Sequence, residues 1–484
     1  MNLDTSTEPR LATQSSCAGL VGAALVVLLA TGCEREPEPI KQESAARAFR
    51  VAVRAGPSSW YPGPSGEPAG FDHDLLVRFA EDRKIEIEVV HVDTASALLD
   101  RVSSGDVMIG AGGLYAPAAA PSETPADSKR HVLWTRGYFT AEPVLIYGVD
   151  GFKPKSFKDL VDATVTYVEA TGIDATFAAI RMAHPEIRWK ALALPSADAL
   201  VAQVSEGRVD YAVVPSIDAA AARNVYLDFD VAFPVGEKRD LAWAVAPGHE
   251  GLRDDLDHFF ANARKEGLLA RYVDRYFSHV RQVERIDAGV FQERLKSVLP
   301  DYRKIFEEAQ ATTGIEWRLL AALAYQESQW NPFATSETGV RGFMQITEET
   351  ARHLRISDRL DPRASTLGAA RYLADLKSKL PARITEPDRT WLALAAFNIG
   401  VAHLEDARIL AQKQKLNPDL WSDVKKTLPL LAQPEFYAGA KYGYARGGMP
   451  VVFVDRVRGY YDILLRHEGH FQPRLRAYPV LATP

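Results

Sequence analysis

Short runs of apolar and β-branched residues alternate with amphipathic segments in the first half of the chain. The predicted strands are Phe49–Val53, Ile85–Val92, Val107–Gly110, Ala163–Val168, Trp189–Leu194 and Val209–Pro215. The predicted helices cover Asp74–Asp82 and Ala95–Val102, with others near Ser156, from Asp174 and from Ala197. Strands alternating with helices are typical of βαβ units and a mainly parallel sheet. Because this order occurs twice, we predict two similar α/β lobes with a cleft between them.

From Leu299 the pattern becomes almost wholly helical. A helix predicted over Glu316–Glu327 places Leu323 and Glu327 on one apolar stripe, and Asn331-Pro332 follows as a helix stop. Burial and the negative end of the helix dipole both disfavour an ionised carboxylate, so we expect a raised pKa for Glu327. A general acid needs such a pKa. On its own, a Glu at this place is more often an edge or capping residue.

Composition excludes several classes of function. The 484 residues include 57 Lys and Arg against 63 Asp and Glu, a formal net charge of -6, and a nucleic-acid binder normally carries a basic excess. Two cysteines exclude a disulfide scaffold and a zinc ribbon, and the 11 histidines form no metal-binding spacing. We therefore expect no nucleic-acid partner and no metal.

An apolar run, GLVGAALVVLLA, covers Gly19–Ala30. It is shorter than the roughly 20 residues that cross a bilayer, and it suits a secretory signal peptide. The small residues before Cys33 resemble a bacterial lipoprotein signal, which implies that Cys33 is lipidated. The alternative is ordinary signal cleavage with Cys33 as an incidental thiol. We expect a signal peptide over 1–32, a tether over 33–47, and a periplasmic protein anchored to the inner face of the outer membrane.

Two segments, Gly66–Val90 and Ser103–Tyr115, resemble the family 3 periplasmic solute-binding proteins. The resemblance covers residues 48–280 and implies a bilobal α/β clamshell that closes on a small polar ligand. Amino-acid binders usually present an Arg after the Gly-rich strand, where its fork pairs with the ligand carboxylate. Here the chain reads Leu114-Tyr115-Ala116-Pro117 instead, which argues against capture of a free amino acid.

Three aromatic residues are candidates for lining this cleft: Trp60, Tyr61 and Tyr115. Aromatic residues near strand ends serve equally often in packing, so both interpretations stay open. The expected ligand of the first domain is a muropeptide or another small molecule.

A longer segment, Ala324–Thr347, resembles the catalytic core of the lytic transglycosylases that have a lysozyme-like fold. Their signature of Glu-Ser, Asn-Pro and Gly-x-x-Gly-x-Met-Gln is present between Glu327 and Gln345. Three further motifs follow in order, over Leu360–Leu376, Leu392–Gly400 and Tyr442–Tyr461. The resemblance implies a linker over 281–298, a mainly α lysozyme-like domain over 299–470 and a tail over 471–484.

The resemblance also implies roles for individual residues. Glu327 matches the single acid/base of the family, and the positions that contact substrate correspond to Ser336, Met344, Gln345 and Asn398. Departures from the family pattern occur at Phe397, which replaces a Tyr, and at Met449 and Phe453, where a Glu and a Tyr are common.

The implied reaction is cleavage of the MurNAc–GlcNAc β-1,4 bond of peptidoglycan glycan strands, leaving a 1,6-anhydroMurNAc end, and it needs no metal or cofactor. One carboxyl group suffices because the 6-hydroxyl of the substrate attacks intramolecularly, whereas ordinary glycosidases pair two. The first domain would regulate the enzyme or recognise a wall fragment. Two alternatives remain: a hydrolytic muramidase, and a non-catalytic or weakly active sensor of wall fragments, for which Phe397 is the supporting departure.

Overall fold

The computed structural model describes residues 49–56, 58–63, 66–117, 130–173, 180–223, 226–278, 285–336 and 339–472. The predicted signal peptide, Cys33 and the tether lie outside these residues. Among the described helices, none combines the length and the apolar character that a bilayer crossing needs.

The described strands divide between two main sheets and one short hairpin. They are β1 (Phe49–Arg54), β2 (Tyr61–Pro62), β3 (Pro68–Ala69), β4 (Ile87–Val92), β5 (Ile109–Tyr115), β6 (Leu133–Trp134), β7 (Phe139–Ala141), β8 (Pro143–Gly148), β9 (Thr164–Val168), β10 (Arg188–Leu192), β11 (Tyr211–Pro215), β12 (Phe229–Pro234) and β13 (Arg239–Val245).

Helices cover the sheets and then form the second half of the chain. In the first half they are α1 (Phe71–Arg83), α2 (Ala95–Ser103), α3 (Ala197–Ser205), α4 (Ser216–Ala222), α5 (Glu250–Lys265) and α6 (Leu268–Val273). In the second half they are α7 (Arg285–Ser297), α8 (Leu299–Thr313), α9 (Trp317–Ser328), α10 (Glu348–His353), α11 (Pro362–Lys379), α12 (Asp388–Ile399), α13 (Val401–Lys413), α14 (Trp421–Thr427), α15 (Pro434–Tyr437) and α16 (Gly448–His467).

The two main sheets confirm the prediction of two similar α/β lobes. In the first, the strand order is β4-β1-β5-β13-β6, and β1 pairs in parallel with β4 and β5. In the second, the order is β10-β9-β11-β8-β12, and β9 pairs in parallel with β10 and β11. The chain passes from the first sheet to the second between β7 and β8, and it returns between β12 and β13. Two crossing segments therefore join the lobes.

Several predicted elements have different limits in the structure. The helix α1 begins at Phe71 rather than Asp74, and β5 runs on to Tyr115 rather than ending at Gly110. The glycines after Gly110 do not end the strand because the antiparallel ladder to β13 continues as far as Tyr115. Near Ser156 the chain forms a short 3-10 helix. The start of the helix predicted from Asp174 falls in 174–179, outside the described residues.

The helix α9 is the centre of the second half of the chain. Every residue from Trp317 to Tyr325 is buried, which is typical of a helix enclosed on all sides. It packs against α8, α11 and α16. The helix α7 lies within the segment 281–298 that the sequence suggested as a linker, and its Phe291 is fully buried in the helical core. The helix α7 therefore packs as part of the helical domain.

Two neighbouring glycines at the start of α16 give a matched test of this packing. A Cβ atom on Gly447 would lie 1.7 Å from the carbonyl oxygen of Leu428, whereas a Cβ atom on Gly448 meets nothing within 4 Å. We expect G447A to lower the free energy of unfolding by about 2 kcal/mol or more. We expect G448A to leave it unchanged or up to about 1 kcal/mol higher. Urea denaturation measures both, and equal stabilities would contradict the close approach.

Candidate active site

Glu327 lies one residue before the end of α9, where the chain turns back sharply. Gln329 and Trp330 both adopt left-handed backbone conformations, with φ of 53° and 59°, which are uncommon for residues with a side chain. The Trp330 indole Nε1 donates a hydrogen bond of 2.8 Å to the carbonyl oxygen of Ala321. The turn that follows Glu327 is thus fixed by the Trp330 side chain, which folds back against α9.

An aromatic cluster supports this turn. The Trp330 ring packs against Tyr325 of α9 and Phe291 of α7, with ring centroids 4.9 Å and 5.4 Å apart. Tyr460 of α16 completes the cluster, 4.8 Å from both Tyr325 and Phe291. Two helices, α7 and α16, therefore hold the end of α9 in place, and buried aromatic rings contribute strongly to such packing.

The electrostatics of Glu327 are set by burial. The side chain is half-buried, and loss of solvation raises the pKa of its carboxyl group to about 8. Within the part of the chain that the structure describes, no charged group contributes to this shift and no hydrogen bond or ion pair reaches the carboxyl group. The carboxyl group is therefore largely protonated at neutral pH, as the sequence predicted.

A hairpin loop follows the turn and carries two of the expected substrate-binding residues. A short antiparallel bridge joins Thr335 to Arg341. The Ser336 amide donates to the carbonyl oxygen of Val340 at 2.8 Å, and the Ser336 hydroxyl oxygen accepts from the Val340 amide at 3.0 Å. Ser336 thus stabilises the hairpin with both its backbone and its side chain.

Gln345 folds back onto the same loop. Its Nε2 donates to the carbonyl oxygens of Gly342 at 2.8 Å and Ala334 at 3.1 Å. Its Oε1 is buried and has no hydrogen-bond partner in the described residues. Gly342 has a φ of 104°, and a Cβ atom there would lie 2.7 Å from the carbonyl oxygen of Arg359. The Gly-x-Met-Gln motif therefore builds a tight loop that leaves one amide oxygen unpaired.

Met344, another residue expected to contact substrate, lies beneath the surface of the helical domain. Its side chain is fully buried in the helical core, next to Phe343 in the sequence. Asn398, in contrast, is exposed in the last turn of α12. The neighbouring Phe397 is half-buried and packs against Tyr372, with ring centroids 5.6 Å apart.

The two other departures have different surroundings. Met449 is exposed at the start of α16, whereas Phe453 is buried one turn further along the helix. Phe453 therefore belongs to the core.

The aromatic candidates of the first domain occupy different places. Tyr115 is buried where the lobes meet, and its amide donates to the carbonyl oxygen of Thr171 in the second lobe at 2.8 Å. Trp60 is half-buried and packs against His91 in a tilted arrangement, with ring centroids 4.1 Å apart. Tyr61 lines a cavity of about 510 Å³ between the first domain and the helical domain.

Sequence reasoning missed two charged residues in this region, Arg54 and Asp218. Both are buried, one at the end of β1 in the first lobe and the other on α4 in the second lobe. Their position in the sequence could have identified them, because side chains at the carboxyl ends of parallel strands line the crevice of such sheets.

Comparisons with known proteins agree with both halves of this description. The model of the bacterial extracellular solute-binding proteins, family 3, matches residues 49–279, and that of the transglycosylase SLT domain matches residues 304–419. A membrane-bound lytic murein transglycosylase F from Thiobacillus denitrificans is 40% identical over 467 residues, covering 96% of this chain and 97% of the relative. The protein of the same name from Pseudomonas syringae pv. syringae is 38% identical over 450 residues, covering 93% and 89%. The chain therefore belongs to the membrane-bound lytic murein transglycosylase F family, and it is a peptidoglycan lytic transglycosylase with an N-terminal solute-binding domain.

Proposed function

We propose that Glu327 is the single acid/base of the enzyme and that the enzyme cleaves the MurNAc–GlcNAc β-1,4 bond without water. One observation carries this proposal: the Glu327 carboxyl group is desolvated, with a pKa raised to about 8, and no described residue neutralises or binds it. A carboxyl group that keeps its proton at neutral pH can donate that proton to a glycosidic oxygen.

The proposed reaction needs only this group and the substrate. Glu327 donates its proton to the oxygen that joins MurNAc to GlcNAc, and the bond from that oxygen to C1 of MurNAc breaks. The 6-hydroxyl oxygen of MurNAc then bonds to C1, and its proton returns to Glu327. Because the nucleophile is part of the substrate, its effective concentration is high without a bound water. The product carries a 1,6-anhydroMurNAc end.

The hairpin loop next to Glu327 is suited to hold the glycan. The unpaired Oε1 of Gln345 is a hydrogen-bond acceptor that a sugar hydroxyl or N-acetyl N–H can satisfy. We propose that Gln345 and Ser336 contact substrate from this loop, and that the exposed Asn398 contacts it from α12. Met344 takes no direct part, because it is buried beneath the loop.

We propose that the first domain regulates this site in response to a small ligand. Arg458 of α16 donates to the carbonyl oxygens of Asp274 at 3.1 Å and Arg275 at 2.7 Å, just after α6. Arg275 in turn pairs with Asp74 of α1, in the first lobe, at 2.8 Å. Further along α16, Arg466 pairs with Asp198 of α3, in the second lobe, at 3.2 Å. One helix thus contacts both lobes.

These contacts give a route for coupling. The same helix α16 packs against α9, which carries Glu327, so a change in the angle between the lobes would act on a direct neighbour of the catalytic helix. Coupling between two sites has a physical basis where both sites bias the equilibrium of one shared element.

We also propose that the enzyme is a periplasmic lipoprotein attached through Cys33 to the inner face of the outer membrane. The apolar run Gly19–Ala30 and the small residues before Cys33 support this proposal, and the relatives are named as membrane-bound. The intact mass of the membrane-extracted chain tests it, since an unmodified Cys33 would contradict it.

The first prediction concerns the products of peptidoglycan digestion. We expect the wild-type protein to release muropeptides that end in 1,6-anhydroMurNAc, and we expect Glu327→Gln to release none, because an amide cannot donate the proton. Mass spectrometry of the soluble products distinguishes the two ends by the mass of one water. Glu349→Gln is the matched control, since Glu349 is exposed in the first turn of α10, and it should behave as wild type.

Other outcomes separate the alternatives. Reducing-end muropeptides from the wild type would indicate a hydrolytic muramidase. Release by Glu327→Gln at the wild-type rate would exclude Glu327 as the acid. No release from the wild type would favour a sensor of wall fragments.

A second prediction concerns α16, the helix through which we propose that the first domain acts on the catalytic site. We expect Arg466→Met to increase backbone hydrogen exchange in both α3 and α16, because it removes the contact between them. Hydrogen exchange measured by mass spectrometry reports both segments. Arg446→Met is the control, since Arg446 is exposed just before α16 and no ion pair is found for it in the described residues. Exchange that rises in neither segment would argue against the coupling route.

A further inference from the structure

Two tyrosine side chains lie exposed on the helical domain just before α16. Tyr442 and Tyr444 are 49% and 56% exposed, and one residue separates them in the sequence. Large aromatic side chains are normally covered in a folded protein, because their burial stabilises it. An exposed pair in one short segment therefore indicates a surface that another molecule covers.

The backbone at Tyr442 is held in place by a buried carboxyl group. Asp406 of α13 is only 4% exposed. Its Oδ1 accepts from the Lys441 amide at 3.1 Å, and its Oδ2 accepts from the Tyr442 amide at 2.9 Å. Burying a carboxyl group is costly unless hydrogen bonds compensate it, and within the described residues the Asp406 carboxyl group bonds only to this segment. The fold thus uses a buried polar group to fix the position of an exposed ring.

Both tyrosine rings are also held by neighbouring side chains. The Lys441 ammonium group lies 5.1 Å from the centroid of the Tyr442 ring, a cation–π contact. The ring of His403 lies nearly perpendicular to that of Tyr442, with centroids 6.4 Å apart, and Tyr444 packs in the same way against Tyr437 at 5.7 Å. Rings that are fixed before binding lose little entropy when a ligand contacts them.

This segment leads into the half of α16 that lies nearest to the catalytic end of α9. Arg318, near the start of α9, donates to the carbonyl oxygen of Glu468 at 2.8 Å, just after the end of α16. Near the end of α9, Tyr325 packs against Tyr460, two turns earlier along α16. The two helices are therefore antiparallel, and the last turn of α9, with Glu327, lies towards the N-terminal half of α16.

A second contact places the tyrosines beside Asn398. The helix α13 begins three residues after Asn398, and its first turn carries His403, which contacts Tyr442. The side chains of Asn398 and Tyr442 are both exposed. No charged group contributes to the raised pKa of Glu327, as expected if Lys441 lies outside the immediate surroundings of the acid.

The chemistry of this surface favours a sugar. The faces of a pyranose ring are lined with C–H groups and its rim carries hydroxyl groups, so it suits an aromatic ring with polar neighbours. Asn398 supplies an amide, and Lys441 supplies an ammonium group that forms no ion pair within the described residues. A stable protein interface buries about 1,000 Å² or more, which is far more than two half-exposed rings offer.

We propose that Tyr442 and Tyr444 form an aromatic platform for a sugar ring of the glycan strand, other than the two sugars joined by the cleaved bond. One face of the sugar lies on the Tyr442 ring, and Asn398 and Lys441 hydrogen-bond to its rim. The platform contributes to affinity for the strand and takes no part in proton transfer. This inference rests on the proposed contact of the strand with Glu327 and Asn398.

Binding of an uncleaved glycan tests the platform. The probe is N-acetylchitohexaose, a peptide-free oligomer of GlcNAc, titrated calorimetrically into the full chain that carries Glu327→Gln. We expect Tyr442→Ala in this background to weaken binding about tenfold, which is typical of truncating an aromatic anchor. Tyr442→Phe keeps the ring and should retain most of the affinity.

Cleavage of soluble peptidoglycan strands by chains with an intact Glu327 gives a second measurement. Tyr442→Ala should raise KM about tenfold and leave kcat unchanged, because it removes binding that is equal in the ground state and the transition state. Phe152→Ala is the matched control. Phe152 is an aromatic residue of the second lobe with 64% of its surface exposed, and its truncation should change neither the affinity for chitohexaose nor KM.

The proposal is overturned if the Glu327→Gln chain does not bind chitohexaose up to about 10 mM, or if Tyr442→Ala leaves its affinity unchanged. It is also wrong if Tyr442→Phe binds as weakly as Tyr442→Ala, if only kcat falls, or if the substitution weakens binding of free stem peptides and not of the glycan. Binding is measured without cleavage. An unchanged affinity therefore leaves the cleavage proposal standing, and a failure of Glu327 as the acid leaves the binding result intact.

Discussion

The structure depends on keeping one carboxyl group away from water at the end of an enclosed helix. Burial raises the pKa of Glu327 to about 8, and desolvating an ionisable group costs stability that the rest of the domain must offset. The helix α9 supplies the offset, because its residues from Trp317 to Tyr325 are all buried among neighbouring helices. Destabilising groups of this kind are typical of catalytic sites.

The surroundings of Glu327 follow from the same constraint. Trp330 closes the end of α9 by bonding to Ala321, and the loop beyond it depends on Gly342, whose backbone passes close to Arg359. In the loop, the Gln345 amide nitrogen donates to two carbonyl oxygens, and its buried Oε1 has no hydrogen-bond partner among the described residues. The helix α16 supports α9 and contacts both lobes of the first domain through Arg458 and Arg466. The catalytic carboxyl group and the solute-binding domain are thus attached to the same helix.

Much of this arrangement could be predicted from the sequence. Hydrophobic periodicity located both lobes, and it placed Glu327 on the buried side of its helix, because these properties depend on local spacing. The motif around Gly342 and Gln345 was also visible. The burial of Met344 was not visible in the sequence, because it depends on how the loop folds over the core. The extension of β5 to Tyr115 was missed, since pairing with the distant strand β13 overrides the local effect of glycine. Arg54 and Asp218 are far apart in sequence, and only the closure of two lobes makes them neighbours.

The central claim is that Glu327 is held protonated at a cost in stability, and the pH dependence of unfolding tests it most directly. The folded-state pKa of about 8 lies above the roughly 4.3 of an unfolded Glu. The stability that depends on a protonated Glu327 is therefore fully present below about pH 4, and it is lost as the pH rises through 8. Because Gln cannot ionise, Glu327→Gln does not lose this stability. Denaturant unfolding of both proteins should show the variant gaining roughly 2–5 kcal/mol relative to wild type between about pH 5 and pH 9. A stability difference that stays constant over this range would contradict the account.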